Sequence, residues 1–80
     1  MVERELTVGS SMLERPVALL VQTAGRFVSE LHLQMDNKNI NLKSIMGVIS
    51  IGTLAGNKVK ITAEGRDESE ACNTIAEFLS

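Results

Sequence analysis

Hydrophobic and polar positions alternate between two periods along this chain. Over residues 2–8, Val2, Leu6 and Val8 share one parity, as in a half-buried strand. Arg4 shares that parity and interrupts it. Gly9-Ser10-Ser11 reads as a turn. Over 15–28 the period lengthens: Val17, Leu20, Val21, Ala24 and Val28 recur at helical spacing, predicting an amphipathic helix. Pro16 falls in its first turn, where a missing N–H does no harm. Residues 30–35 alternate again, with Leu31, Leu33 and Met35 on one face and Glu30, His32 and Gln34 on the other. Asp36-Asn37-Lys38-Asn39 is a turn cluster, and Ile40 and Leu42 continue into a second strand, completing a hairpin.

Ser44 then precedes Ile45-Met46-Gly47-Val48-Ile49-Ser50-Ile51. Serine is a preferred N-cap, so a short helix is expected to start here. It is apolar almost all round, and a one-sided core cannot bury every side chain. Val48 and Ile51 are three apart and can face inward. Ile45 and Ile49, four apart with Met46 beside them, form a second apolar face. Gly56-Asn57 turns the chain. Val59, Ile61 and Ala63 alternate with Lys58, Lys60, Thr62 and Glu64 as a half-buried strand. Gly65 leads to Asp67-Glu68-Ser69-Glu70, an acidic helix start with a capping-box-like Asp67/Glu70 pair. Ala71, Ile75, Phe78 and Leu79 line the inner face of that helix. The order is β-α-β-β-α-β-α, an α+β arrangement with helices packed on one face of an antiparallel sheet.

Composition narrows the picture. Eighty residues make a single domain, 1–80, which buries only about 60% of its unfolded surface. With two Phe and no Trp or Tyr, the core has to be aliphatic. A formal net charge of −2 argues against direct nucleic-acid binding, which wants a basic face. Met1 leads into charged residues rather than an apolar signal segment, and no apolar run approaches the ~20 residues of a membrane span. A soluble, cytoplasmic protein is expected.

Signatures of enzyme chemistry are missing: no GxGxxG, P-loop, HExxH or GxSxG occurs, and no cofactor or metal is expected. The one histidine, His32, lies mid-strand on the polar face, where a solvated residue is the plain reading. The lone Cys72 can make neither an internal disulfide nor a zinc site. The carboxylates suggest no acid/base pair. Two features stand above this background. Ser44 at a helix start could carry a phosphate against free backbone N–H groups, although every such serine is first an ordinary cap. Arg15-Pro16 opens the first long helix, where another anion site could form.

Asn41-Leu42-Lys43-Ser44-Ile45-Met46-Gly47-Val48-Ile49-Ser50-Ile51-Gly52 resembles the regulatory segment of HPr, the histidine-containing phosphocarrier family of the bacterial sugar phosphotransferase system. Val17-Ala18-Leu19-Leu20-Val21-Gln22-Thr23-Ala24 resembles the family's first helix, and the match runs over nearly the whole chain. The resemblance implies an open-faced sandwich in which three helices cover one face of a four-stranded antiparallel sheet. The family's active-site pattern is Gly-(Ile/Leu)-His-Ala-Arg-Pro, and here it reads Ser11-Met12-Leu13-Glu14-Arg15-Pro16. Leu13 occupies the phosphohistidine position and has no nucleophilic atom, so no catalytic residue is assigned. Glu14 adds negative charge where phosphate would arrive.

Loss of the histidine with retention of the serine resembles the Crh (catabolite repression HPr-like) type of the family. That resemblance implies phosphoserine at Ser44, made by HPr kinase/phosphorylase, and a corepressor role in carbon catabolite repression through a LacI-family catabolite control protein. Ile45, Met46, Ile49 and Arg15 are the expected partner-binding residues, with Arg15 near the serine. It also implies a possible homodimer by swapping of the first strand. Two other functions stay open: a phosphocarrier accepting phosphate elsewhere, and a module that docks on a metabolic enzyme through Ile45, Met46 and Ile49 without phosphorylation. An engineered Leu13 is disfavoured because Ser11 and Glu14 depart from the motif too.

Overall fold

The structure, a computed structural model, describes residues 1–80. Four strands, β1 (Val2–Thr7), β2 (Glu30–Met35), β3 (Lys38–Asn41) and β4 (Lys58–Glu64), form one sheet in the order β1-β4-β2-β3. Every neighbouring pair is antiparallel. Three helices, α1 (Val17–Ala24), α2 (Ile45–Ile51) and α3 (Glu68–Leu79), cover one face. This is the expected α+β open-faced sandwich. No helix is long and apolar enough to cross a membrane.

Strand alternation sets the two faces. Leu31, Leu33, Met35, Val59, Ile61 and Ala63 point under the helices and are buried, meeting Leu20, Ala24, Val48, Ile51, Ala71 and Ile75 in one aliphatic cluster. The open face carries Glu3, Glu5, Lys58, Lys60, His32 and Gln34. Lys60 pairs with Glu3 at 2.6 Å and Lys58 with Glu5 at 3.7 Å. His32, half-buried, sits in register with Thr62 and Asn41. Arg4, which breaks the strand pattern, lies on the helix side of an edge strand. Its long stem carries the guanidinium out to Asn73 Oδ1 of α3, 3.0 Å away, so the charge stays at the surface.

Three boundaries differ from expectation. Residues 9–11 are not a simple turn: Ser10–Leu13 form a short 3-10 helix that turns Met12 into the core. The first helix is shorter than 15–28. Pro16 is extended (φ −64°, ψ 134°) and serves as N-cap, and the residue before a proline avoids the helical region. The far end stops at Gly25, after which Arg26 and Phe27 N–H groups reach Thr23 and Ala24 carbonyls in tightened turns. Val28 is therefore outside the helix and exposed rather than on its inner face.

The capping box at Asp67/Glu70 does not form, because the Asp67 side chain makes no cap hydrogen bond. Instead its carboxylate accepts from Val28 N (3.1 Å), Ser29 N (3.0 Å) and Ser29 Oγ, tying the α1–β2 connection to the start of α3. Ser29 is the one buried polar residue. These donors hold the half-buried Asp67 carboxyl below its ordinary pKa, the Ser29 hydroxyl being the largest cause. Gly65 (φ 151°) packs so closely on Ser29 that an added Cβ would come within 2.7 Å of the Ser29 Cα.

Candidate functional site: the serine-capped helix

The site grows from the end of β3. The Asn41 side chain accepts the Lys43 N–H at 2.9 Å, and the Asn41 carbonyl accepts the Ser44 N–H at 3.0 Å. An asparagine bonding the backbone two residues on is a turn-former, and it delivers Ser44 in an extended conformation (φ −104°, ψ 112°). The Lys43 Nζ crosses to the Phe27 carbonyl, 2.6 Å away, fastening this turn to the end of α1.

Ser44 is the N-cap of α2. Its Oγ accepts from Gly47 N at 3.2 Å, and its carbonyl accepts from Val48 N at 3.1 Å. The first bond satisfies one of the donors that a helix start leaves without partners. Gly47 keeps the hydroxyl's flank open; a Cβ there would rest 3.4 Å from the oxygen. A seven-residue helix is not stable alone in water, and α2 is held by Val48 and Ile51, both buried. Each such burial contributes about 1.5–3 kcal/mol. The opposite face has no covering element: Ile45 is 38% exposed, Met46 73% and Ile49 55%. Gly52 (φ 84°) ends the helix in a conformation that favours glycine.

Ser44, Ile45, Met46 and Ile49 thus share one short element. Leu13 closes the 3-10 helix and is 69% exposed, with no core contact to explain a leucine there. Arg15 is engaged with α3 rather than with the serine: Nη1 donates to the Phe78 carbonyl at 3.0 Å, and the guanidinium lies 4.8 Å from the centroid of the Phe78 ring. One guanidinium nitrogen of Arg15 is bonded to α3 and the side chain stays exposed, while Pro16 has no N–H to offer. Cys72 is fully buried in α3, where burial pushes its thiol pKa up. Sequence reasoning missed Lys43 and Phe78. Lys43 donates from its Nζ to the Phe27 carbonyl and Phe78 offers its own carbonyl to Arg15, and no side-chain pattern marks a backbone acceptor. Asn41 carried a legible signal, a turn-forming side chain two residues ahead of Lys43.

A family model described as PTS HPr component phosphorylation site matches residues 2–80. The chain belongs to the HPr family. Among HPr-family relatives, the HPr-like protein Crh of Bacillus subtilis strain 168 is 40% identical over 75 residues, spanning 94% of this chain and 88% of that protein. The crystal structure of a phosphocarrier protein HPr from Bacillus anthracis strain Ames superposes with a TM-score of 0.91 at 36% identity, covering 99% of this chain and 96% of that one. A Bacillus subtilis Crh crystal structure, described as a dimer with a swapped domain, superposes with a TM-score of 0.74 at 42% identity, covering 99% and 88%. The chain is therefore an HPr-like protein whose similarity extends to both the phosphocarrier and the Crh members.

Proposed function

We propose that this protein is a regulatory HPr-like protein of carbon catabolite repression, phosphorylated on Ser44 by HPr kinase/phosphorylase and then bound by a LacI-family catabolite control protein as its corepressor. The observation that carries this reading is a half-buried N-cap serine directly ahead of an uncovered Ile45/Met46/Ile49 face, in a chain whose motif position for the phosphohistidine holds Leu13. A phosphate on Ser44 adds about −1.5 to −2 charges at the end of a helix that tolerates an anion. It offers a basic group on the partner a charge-assisted contact, while the apolar face supplies contact area. Burying Ile45, Met46 and Ile49 would contribute about 1.5–3 kcal/mol each before ordering costs. Leucine at position 13 cannot take phosphate from enzyme I.

Similarity to Crh supports a homodimer formed by exchange of β1. That strand is at the sheet edge and precedes a short Gly-Ser-Ser segment, the kind of connection that can open to exchange an element between copies.

Incubation with an HPr kinase and ATP tests the central claim. Mass spectrometry should find one phosphate, on Ser44, and none after Ser44→Ala. A chain that stays unmodified refutes the switch. Binding to the catabolite control protein that is equally tight before and after kinase treatment would instead favour a phosphorylation-independent docking module. Label passing from enzyme I to this protein would restore the phosphocarrier reading.

A further inference from the structure

Residues 9–15 join β1 to α1, and both ends of this segment are tied to one place. The Gly9 N–H donates to the Leu79 carbonyl at 2.8 Å. The Arg15 guanidinium donates to the Phe78 carbonyl at 3.0 Å and covers the Phe78 ring. These are consecutive carbonyls of α3. A Cβ at Gly9 would run into the Ser80 carbonyl oxygen, so the two segments approach closely here. Between the two ties the chain is compressed into the 3-10 helix, with Met12 buried and its neighbours exposed. Beyond it, β1 is an edge strand that pairs with β4 alone.

We propose that the last turn of α3 is a latch on this segment, with Arg15 as its releasable half, and that the latch holds β1 in its own chain. The consequence for dimer formation rests on the strand-exchange reading above. When β1 departs, Gly9 travels with it while Arg15 stays beside α1. Only in the closed chain do both grip the same helix end. Each tie holds the other's donor in place, so the second forms at a high effective concentration. Releasing Arg15 leaves the Gly9 bond, the buried side chains of Val8 and Met12, and the backbone bonds of Val8 to Gly56 and Asn57. Weakly tied edge elements are where local opening begins. Arg15 is exposed and only its Nη1 is bonded, so an anion that draws the guanidinium away from Phe78 would loosen β1.

The test uses the full chain with Arg15→Gln and Arg15→Lys. Amide exchange of β1 is read relative to β2 by NMR, and dimer content by light scattering at matched concentrations. Arg15→Gln should speed β1 exchange about tenfold relative to β2, the loss expected for one charge-assisted hydrogen bond, and shorten the time in which the dimer content reaches its final value. Arg15→Lys, which keeps the charge without the planar fork, should fall between. Equal acceleration of β1 and β2, or no change in either, overturns the latch. Faster β1 exchange with every variant monomeric upholds the latch and refutes strand exchange.

Discussion

Replacing Ser44 separates the cap from the switch. In Ser44→Ala the Gly47 N–H loses its acceptor at the start of a helix of only two turns. Loss of a serine N-cap costs about 1 kcal/mol, within a range of about 0.5–2. The 3.2 Å bond is at the long end for N–H···O, which places the expected cost near or below 1 kcal/mol. For a domain of this size that is a fall in Tm of about 4–8 °C per kcal/mol. Ser44→Asp keeps an acceptor in the same place and adds a charge favourable to the helix start, so its Tm should stay close to wild type. Thermal unfolding followed by circular dichroism, with urea titration as a second measure, reads both variants. An unchanged Tm for Ser44→Ala means the cap is idle. A Ser44→Asp variant that falls as far as Ser44→Ala means the hydroxyl is held by something other than the Gly47 amide. The pair also disciplines any binding experiment: partner binding lost in both variants, with the Tm of Ser44→Asp held, would implicate the phosphate itself rather than fraying of α2.

Met46→Ser should weaken the proposed binding to the catabolite control protein about tenfold or more while leaving Tm within about 1–2 °C, because a side chain 73% exposed contributes little to folding; calorimetric titration with phosphorylated protein checks it. Gly65→Ala should destabilise more than Gly56→Ala. Both have positive φ, which alone costs roughly 1–2 kcal/mol, but only at Gly65 does the new Cβ meet the Ser29 backbone, while Gly56 has nothing within 4 Å; urea midpoints compare them. Leu33→Ala, at the centre of the sheet and fully buried, should cost about 2–5 kcal/mol and serves as the benchmark for a core lesion. Asp67→Asn should lower Tm at neutral pH. Since the folded carboxyl titrates below its unfolded value, its contribution is present above the ordinary carboxylate range and is lost as pH falls through the folded pKa. The Tm gap between variant and wild type should therefore close on acidification; a gap that is constant with pH counts against the clasp.

What the sequence reveals of this molecule follows from which interactions have a period. β2 and β4 alternate cleanly, and both appear where expected with their inner faces buried. The two faces of α2 follow from the spacing of Val48 and Ile51 against Ile45 and Ile49. Side-chain burial repeats along the chain, so it is legible. The misreadings share the opposite property. Val28 looked like the next turn of α1 because valine recurs at the right spacing, yet Gly25 ends the helix and Asp67, thirty-nine residues away, takes the Val28 N–H. The same aspartate looked like a local cap. An acidic side chain near a helix start has two possible sets of donors, and spacing along the chain counts only the near set.

That distinction bears on the candidate site. Ser44 was legible because its partner, Gly47, is three residues away. Arg15 was not, because its partner is a carbonyl sixty-three residues away. The two residues that the family resemblance singles out therefore make different contacts in this fold. Ser44 starts a short helix, leaves an apolar face uncovered, and keeps its hydroxyl beside a glycine. Arg15 closes α3 against the segment carrying Leu13. Leucine at position 13 carries no nucleophilic atom, and Arg15 beside it is bonded to the end of α3. The proposed phosphate switch and the proposed latch are therefore separable by mutation: Ser44→Ala should leave β1 exchange as it is, and Arg15→Gln should leave phosphorylation of Ser44 as it is.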